Sequence, residues 1–283
     1  MSEEIRIIPA KDPETLFKLA GTVGWNQTLR DCREMLLSPC ARGVFAVSGD
    51  EVIGSAAAMI YENDQVGYLN MVIVREPFRG RGIATMMLKK MMEILKECRT
   101  LRLYATTAGS RVYEKIGFKT YAVLHKFAAD GYRCPPLPHD RIRRLTKDDL
   151  PEMEALDKSG FGCARGRLLE YFLECQPELG FKIMDGNRIS GFTIGRIGPV
   201  SRQAAAITAA CEEDALTLFD AVALQGTPSP RMQLIAFDSQ KRLIEQMAAR
   251  GILPISELVA MDYGQPGPRP GETYYGVLGG DFG

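Results

Sequence analysis

One stretch of this chain carries most of its legible chemistry: NMVIVREPFRGRGIATMMLKKMMEILK, from Asn70 to Lys96. An apolar run ends at Val74, a turn holds Arg79-Gly80-Arg81-Gly82, and a helical pattern starts near Ile83. A strand that feeds a helix through such a turn presents the helix's first, unpaired amides and the positive end of its dipole. Gly80 and Gly82 let a ligand approach the backbone with no Cβ in the way. Arg75, Arg79 and Arg81 stand beside a single acid, Glu76. The chemistry this suits is a phosphate cradle. Taken alone, the same residues also describe a plain strand-helix turn with solvated arginines. The spacing is neither GxxxxGK[ST] nor GxGxxG with a ribose-binding acid, which argues against ATP and NAD.

Other chemistries find little support. Two histidines, His125 and His139, exclude a three-histidine metal site and leave little for a Ser-His or Cys-His pair. The seven cysteines are scattered, odd in number and without a CxxC pair, so the expectation is reduced thiols, no disulfide framework and no metal. Thirty-five Lys+Arg balance 35 Asp+Glu, against a dedicated nucleic-acid or membrane-surface protein. No run of about 18 apolar residues occurs, and the opening MSEEIRIIPAKD is charged where a signal peptide would be apolar. A cytoplasmic chain is expected.

At 283 residues the chain is long enough for about two domains. The clearest break is DGYRCPPLPHD, whose prolines forbid helix and disfavour a central strand. The expected division is residues 1–129, a linker at 130–140 and residues 141–283. In the first domain Asp12 and Pro13 read as an N-cap and first helical residue, and a second amphipathic helix follows at Thr28–Leu37. Gly43–Val47 and Glu51–Tyr61 form a hairpin around Ser48-Gly49-Asp50. Val66–Val74 is a strand, Ile83–Cys98 a long helix, Leu101–Thr106 a strand, Arg111–Ile116 a short helix and Lys119–Phe127 a closing strand. The order α-α-β-β-β-α-β-α-β implies an α/β (mixed α+β) domain with a mostly antiparallel mixed sheet flanked by helices. The second half repeats this ending, Leu234–Tyr263 matching Leu101–Phe127 with Gly251 opposite Gly117, and Met184–Gly198 mirrors Val47–Ile60. A tandem duplication is the reading.

Val74 to Ala84, VREPFRGRGIA, resembles the acetyl-coenzyme A motif of the GNAT superfamily of N-acetyltransferases, an R-x-x-G-x-(G/A) loop falling here on Arg79, Gly82 and Ala84. LYATTAGSRVYEKIGF, Leu103 to Phe118, resembles that superfamily's second motif, with Tyr113 on a short helix ending in Gly117-Phe118. The likeness covers residues 3 to 128 well and the second half as a degenerate copy. Many members carry Asn where this chain has Thr106, seven residues before Tyr113. The resemblance implies tandem GNAT-like domains and acetyl-CoA as co-substrate. Its pantetheine would pair with backbone near Val72, Ile73 and Val74 as an added strand does. Its pyrophosphate would sit on Gly80, Arg81, Gly82, Ile83, Ala84 and Thr85, beside Arg79.

The same resemblance implies direct acetyl transfer to a primary amine of a small molecule or peptide in a ternary complex. Tyr113 would be the acid for the departing thiolate, and a backbone N–H on the Val74 strand the donor to the carbonyl oxygen. Tyr113 also reads as a plain core aromatic. For the general base, Tyr68 and Asn70 share a strand face with Val72 and Val74 by alternation, and Glu62 and Asp64 lie in the preceding turn. A water relay is an equal alternative. The second half has no phosphate loop between Gly198 and Cys211, and Ile244 stands opposite Tyr113, so it is expected to be structural or to shape the acceptor site. The tail's TYYGVL is expected to pack back on a sheet. A non-catalytic acyl-CoA sensor is the competing function, against which the presence of Tyr113 speaks.

Overall fold

Short-range signals build the first elements of the computed structural model, which describes residues 4–61, 65–137, 141–225 and 231–283. After β1 (Ile5–Pro9), Asp12 Oδ1 accepts the Glu14 N–H at 3.0 Å and Pro13 opens α1 (Pro13–Thr22). Thr28 and Asp31 close a reciprocal capping box on α2 (Leu29–Leu37), with N···O distances of 2.8 and 3.1 Å. The hairpin β2 (Ala41–Ser48) and β3 (Glu51–Tyr61) turns at Gly49, whose φ of 56° suits glycine. Then come β4 (Val66–Val74), α3 (Ile83–Ile94), β5 (Thr100–Thr106), α4 (Thr107–Glu114) and β6 (Lys119–Asp130). β1 is absent from the element order expected from sequence. Five residues are too few for a periodic signal, and this edge strand exists because β2 offers a ladder from Ile5↔Ser48 to Pro9↔Val44.

The second half repeats the series with β7 (Ile142–Arg144), α5 (Leu150–Phe161), α6 (Gly166–Cys175), β8 (Gly180–Asp185) and β9 (Arg188–Ile197). It continues through β10 (Arg202–Thr208), α7 (Glu212–Ala223), β11 (Arg231–Phe237), α8 (Lys241–Ala249) and β12 (Leu253–Gly264), and adds β13 (Tyr274–Gly276). All strands join one sheet ordered β1-β2-β3-β4-β5-β12-β6-β11-β10-β9-β8-β7, with β13 on β10. The order is symmetric about its centre, so β1 to β6 correspond to β7 to β12. The two non-glycine residues with positive φ among those described, Met71 in β4 and Ala206 in β10, fall at corresponding strands. The duplication is therefore a property of the fold.

At the centre the halves exchange strands. β12 pairs antiparallel with β5 from Leu258↔Thr106 to Gly264↔Thr100, and on its other side with β6. β6 in turn pairs with β11, from Arg231↔Asp130 to Phe237↔Leu124. Each half thus supplies the strand that covers the other's inner edge. Beneath the sheet, Leu16, Met35, Phe161 and Phe172 of α1, α2, α5 and α6 share one core, while α3 and the α7/α8 pair pack in two separate ones.

A buried ion pair ties this common core. Arg165 and Asp157 are fully buried and joined by N···O contacts of 2.8 and 2.9 Å, with Arg165 stacked 3.7 Å from the Phe161 ring centre and donating to Tyr274 Oη at 2.8 Å. Removing one partner strands a desolvated charge. Asp157→Ala should therefore cost about 3–5 kcal/mol in chemical unfolding. Asp130→Ala, which breaks the exposed pair with Arg231, should cost far less, since water screens both charges. Equal losses in the two variants would refute this ranking.

Candidate active site

The site begins where β4 parts from β5. β4 and β5 pair in parallel only at Val66↔Thr100, Gly67↔Leu101 and Tyr68↔Arg102, then part. On the other side the β3 ladder shifts register between Ser55 and Ala57, so that Ile73 and Asn70 both face as those two residues do. The extra residue is absorbed at Met71, whose φ is 50°. This corrects the strand-face assignment. Tyr68, Asn70 and Ile73 share one face, and Val72 and Val74 lie on the other, because a bulge reverses the alternation beyond it. Met71 and Val72 have no partners in that ladder.

At the open end of β4, a short 3-10 turn (Glu76–Phe78) leads into α3. Gly80 and Gly82 both have φ of 76°, and a Cβ at either would meet nothing within 4 Å, so the ground above them is open. Gly82 is the N-cap of α3, and the first intrahelical bond runs from the Met86 N–H to Gly82 O at 3.0 Å. The amides of Ile83, Ala84 and Thr85 precede it and face the turn. Arg79 Nε donates to Val74 O at 3.1 Å, and Arg81 Nη2 to Pro77 O at 3.3 Å. Arg75 pairs with Glu51, and the Phe78 ring lies between the guanidiniums of Arg75 and Arg81. These residues are what a pyrophosphate needs: open backbone, a helix terminus and nearby cations.

The parting of β4 and β5 continues as a cavity of about 280 Å³ that reaches Leu69 to Val72, Leu103 to Thr106, Gly109 and Tyr113. Tyr113 lies on α4, its ring edge-on to Phe118 at 5.8 Å, and burial pushes its phenol well above the ordinary value. It is both a packed aromatic and a wall of the cavity. The Thr106 oxygen caps α4 by accepting the Gly109 N–H at 3.1 Å, which leaves its hydroxyl proton free to donate into the cavity it lines. Of the base candidates, Tyr68 is wholly buried and does not line this cavity. Asn70 does, and Glu62 and Asp64 lie outside the described residues.

The far end is built by both halves and was not apparent in the sequence. Trp25, Asn26 and Gln27 enter from the loop between α1 and α2, Lys126 from β6, Arg196 from β9, Gln203 from β10, Gln233 from β11 and Asp281 from the last described loop. Asn70 Nδ2 donates to the Asp281 carbonyl at 2.8 Å, and Arg196 bridges Asp31 at 3.1 Å and Asp281 at 3.5 Å. Gln27 Oε1, Asn70 Oδ1, Tyr104 Oη and Asp281 Oδ2 are buried with no partner. Among the described residues no cluster of three His, Cys, Asp or Glu could hold a metal ion, and no helix is long and apolar enough to cross a membrane.

The equivalent opening in the second half is filled by the chain itself. β10 and β11 pair in parallel only at Arg202↔Met232 and Gln203↔Gln233, and β13 then lies against β10 at Ile207↔Gly276 and Thr208↔Tyr274. Val277 donates to Ile235 O at 2.9 Å across the gap. A Cβ at Gly276 would come within 2.7 Å of Leu234, so no space is left. The expected return of TYYGVL to a sheet is seen here. The helix that follows opens on Glu212, Glu213 and Asp214, which repel a phosphate where the first half offers arginines.

Residues 11–118 match the acetyltransferase (GNAT) family and residues 153–276 an acetyltransferase (GNAT) domain. Among curated proteins, the uncharacterized N-acetyltransferase YitH of Bacillus subtilis (strain 168) is 24% identical over 165 residues, 58% of this chain and 57% of that protein. The match thus spans little more than half of that relative. A crystal structure of a candidate acetyltransferase from Pyrococcus horikoshii superposes with a TM-score of 0.80 at 17% identity, covering 99% of this chain and 96% of that one. A GCN5-related N-acetyltransferase from Sphaerobacter thermophilus gives 0.65 at 16% identity, over 93% and 98%. A tandem GNAT protein of the clavulanic acid biosynthesis pathway gives 0.65 at 13%, over 92% and 98%. These structures share the fold.

Proposed function

Because the chain belongs to the GNAT acetyltransferase family and carries two of its domains, we propose that its first half transfers an acetyl group from acetyl-CoA to a primary amine in a ternary complex, while the second half completes the acceptor site. One observation carries this reading. No strand of the described residues fills the opening between β4 and β5, whose cavity reaches Tyr113 and beyond which stand the open glycines 80 and 82, whereas its counterpart in the second half is occupied by β13.

When bound, acetyl-CoA supplies a thioester carbonyl as electrophile. Backbone of Val72, Ile73 and Val74 would hold the pantetheine arm, Arg79 and Arg81 the phosphates with the amides of Gly80, Gly82, Ile83, Ala84 and Thr85. The bulge leaves backbone of Met71 and Val72 outside the β3 ladder, which makes an amide there available to a carbonyl oxygen. Burial keeps Tyr113 protonated across neutral pH, and it donates that proton to the departing sulfur.

Acetyl-CoA at a hundredfold excess over its Kd should stabilise the protein by about 2.7 kcal/mol. Gly82→Val should erase most of that shift, since a β-branched side chain strains a φ of 76° and fills the open ground. Calorimetric titration should count one acetyl-CoA per chain. Two equivalent sites, or a full shift in the Gly82 variant, would place the cofactor elsewhere. A thermal shift without thiol release from any amine would instead identify a binding module.

A further inference from the structure

The geometry at the far end of the cavity points to the acceptor's chemical class, and we propose that it is a zwitterion of the amino-acid type, held by its ammonium on Asp281, Asn70 and Gln27 and by its carboxylate on Lys126. The inference rests on the acetyl-transfer reading above.

Asp281 Oδ2, Asn70 Oδ1 and Gln27 Oε1 are acceptors only, all three lack a partner, and all belong to residues that line the cavity. Their residues are 4%, 5% and 8% exposed, so water does not satisfy them from bulk. A protonated amine brings three N–H donors and no acceptor, which matches this set. The orientations are fixed from behind. Asn70 Nδ2 is committed to the Asp281 carbonyl at 2.8 Å, which fixes the amide and leaves its oxygen as the unpartnered atom. Arg196 holds the other Asp281 oxygen and is itself held by Asp31. Asn70 lies two residues before Val72, so an amine bound there stands beside the segment assigned to the thioester arm.

Lys126 supplies the opposite charge. It lines the same cavity and makes no ion pair or hydrogen bond among the described residues. Desolvation and, next, Arg231 hold its ammonium below the ordinary range, with Asp281 opposing. Its charge therefore lacks a direct counter-ion, and an anion in the cavity would provide one. Arg196 holds Asp281 Oδ1, and no ion pair joins Asp281 to Lys126 among the described residues, which leaves Asp281 Oδ2 and the Lys126 ammonium for one ligand that carries both charges. A protonated amine without a carboxylate would satisfy only one end.

The test is the steady-state kinetics of L-amino acids against the amines obtained by removing their α-carboxylate, with calorimetric binding of each in the presence of CoA. The best amino acid should show a KM at least about tenfold below that of its amine. Lys126→Met, at a half-buried position, should bring that ratio close to one by raising KM for the amino acid. Asp281→Asn should raise KM for both members of a pair, with its melting curve recorded to verify folding. Amines used as well as amino acids, or a preference that survives in Lys126→Met, would overturn the proposal while leaving acetyl transfer intact. Amino acids that bind beside CoA and lose affinity in Lys126→Met, yet are not acetylated, would support the site and overturn the acetyl-transfer reading instead.

Discussion

Chains cut at the central linker, residues 1–140 and 141–283 expressed apart, should show no cooperative melting, while the two expressed together should restore the melting transition and the acetyl-CoA shift. The reason is the strand exchange. In the shorter chain β5 loses the seven-residue ladder with β12, and β6 loses ladders on both of its sides. Ala260 and Met261, both wholly buried, leave with β12, and Leu101, Leu103, Leu124 and Phe127 line the strands it separated from water. A buried side chain of this size is worth about 1.5–3 kcal/mol, so a few such losses rival the 5–15 kcal/mol that holds a whole domain. The complementary chain loses β6 from the edge of β11 in the same way. Circular dichroism melts read the result directly. A sharp transition in residues 1–140 alone would show that the first half closes its own sheet.

Tyr113→Phe should lower turnover by about 10²-fold or more with acetyl-CoA affinity nearly unchanged. Phenylalanine keeps the ring against Phe118 and deletes only the hydroxyl. Because burial raises the phenol's pKa, the wild-type acid stays loaded through pH 9, and turnover should climb with pH as the acceptor amine loses its proton. The variant should keep that climb at a lower level, since the ascending limb belongs to the acceptor. Wild-type turnover in the variant would reduce Tyr113 to a wall of the cavity. A turnover that falls above neutral pH in the wild type would show that the phenol ionises where burial should forbid it.

Much of the first half was written locally. Asp12 with Pro13, Thr28 with Asp31, and the turn at Gly49 each use partners within a few residues, so their spacing alone announces them. The loop proposed to hold phosphate is of the same kind. Gly80, Gly82 and the first amides of α3 are contiguous in the chain, and Tyr113 follows Thr106 within one strand-to-helix turn. The repeat was legible because two stretches of one chain can be compared without knowing where either lies.

What the sequence left open depends on partners far away along the chain. The bulge at Met71 is a property of the β3–β4 register, and it moved Val72 and Val74 to the face opposite Asn70 although nothing in VGYLNMVIV marks it. β1 needs β2, and the exchange of β6 and β12 obeys the same alternation that pairing within each half would have obeyed. The filling of the second opening by β13 required a tail to return some sixty-six residues after β10 and to meet a glycine at the tightest point. Gln27, Lys126 and Asp281 are ordinary polar residues in a string of letters, separated by ninety-nine and 155 positions. Local hydrogen bonds fix how a strand meets a helix, so sequence alone determined the glycine turn before α3 and the repeat. Which residues share one cavity is set by packing between elements with no sequence proximity, so only the tertiary structure could bring Gln27, Asn70, Lys126 and Asp281 together.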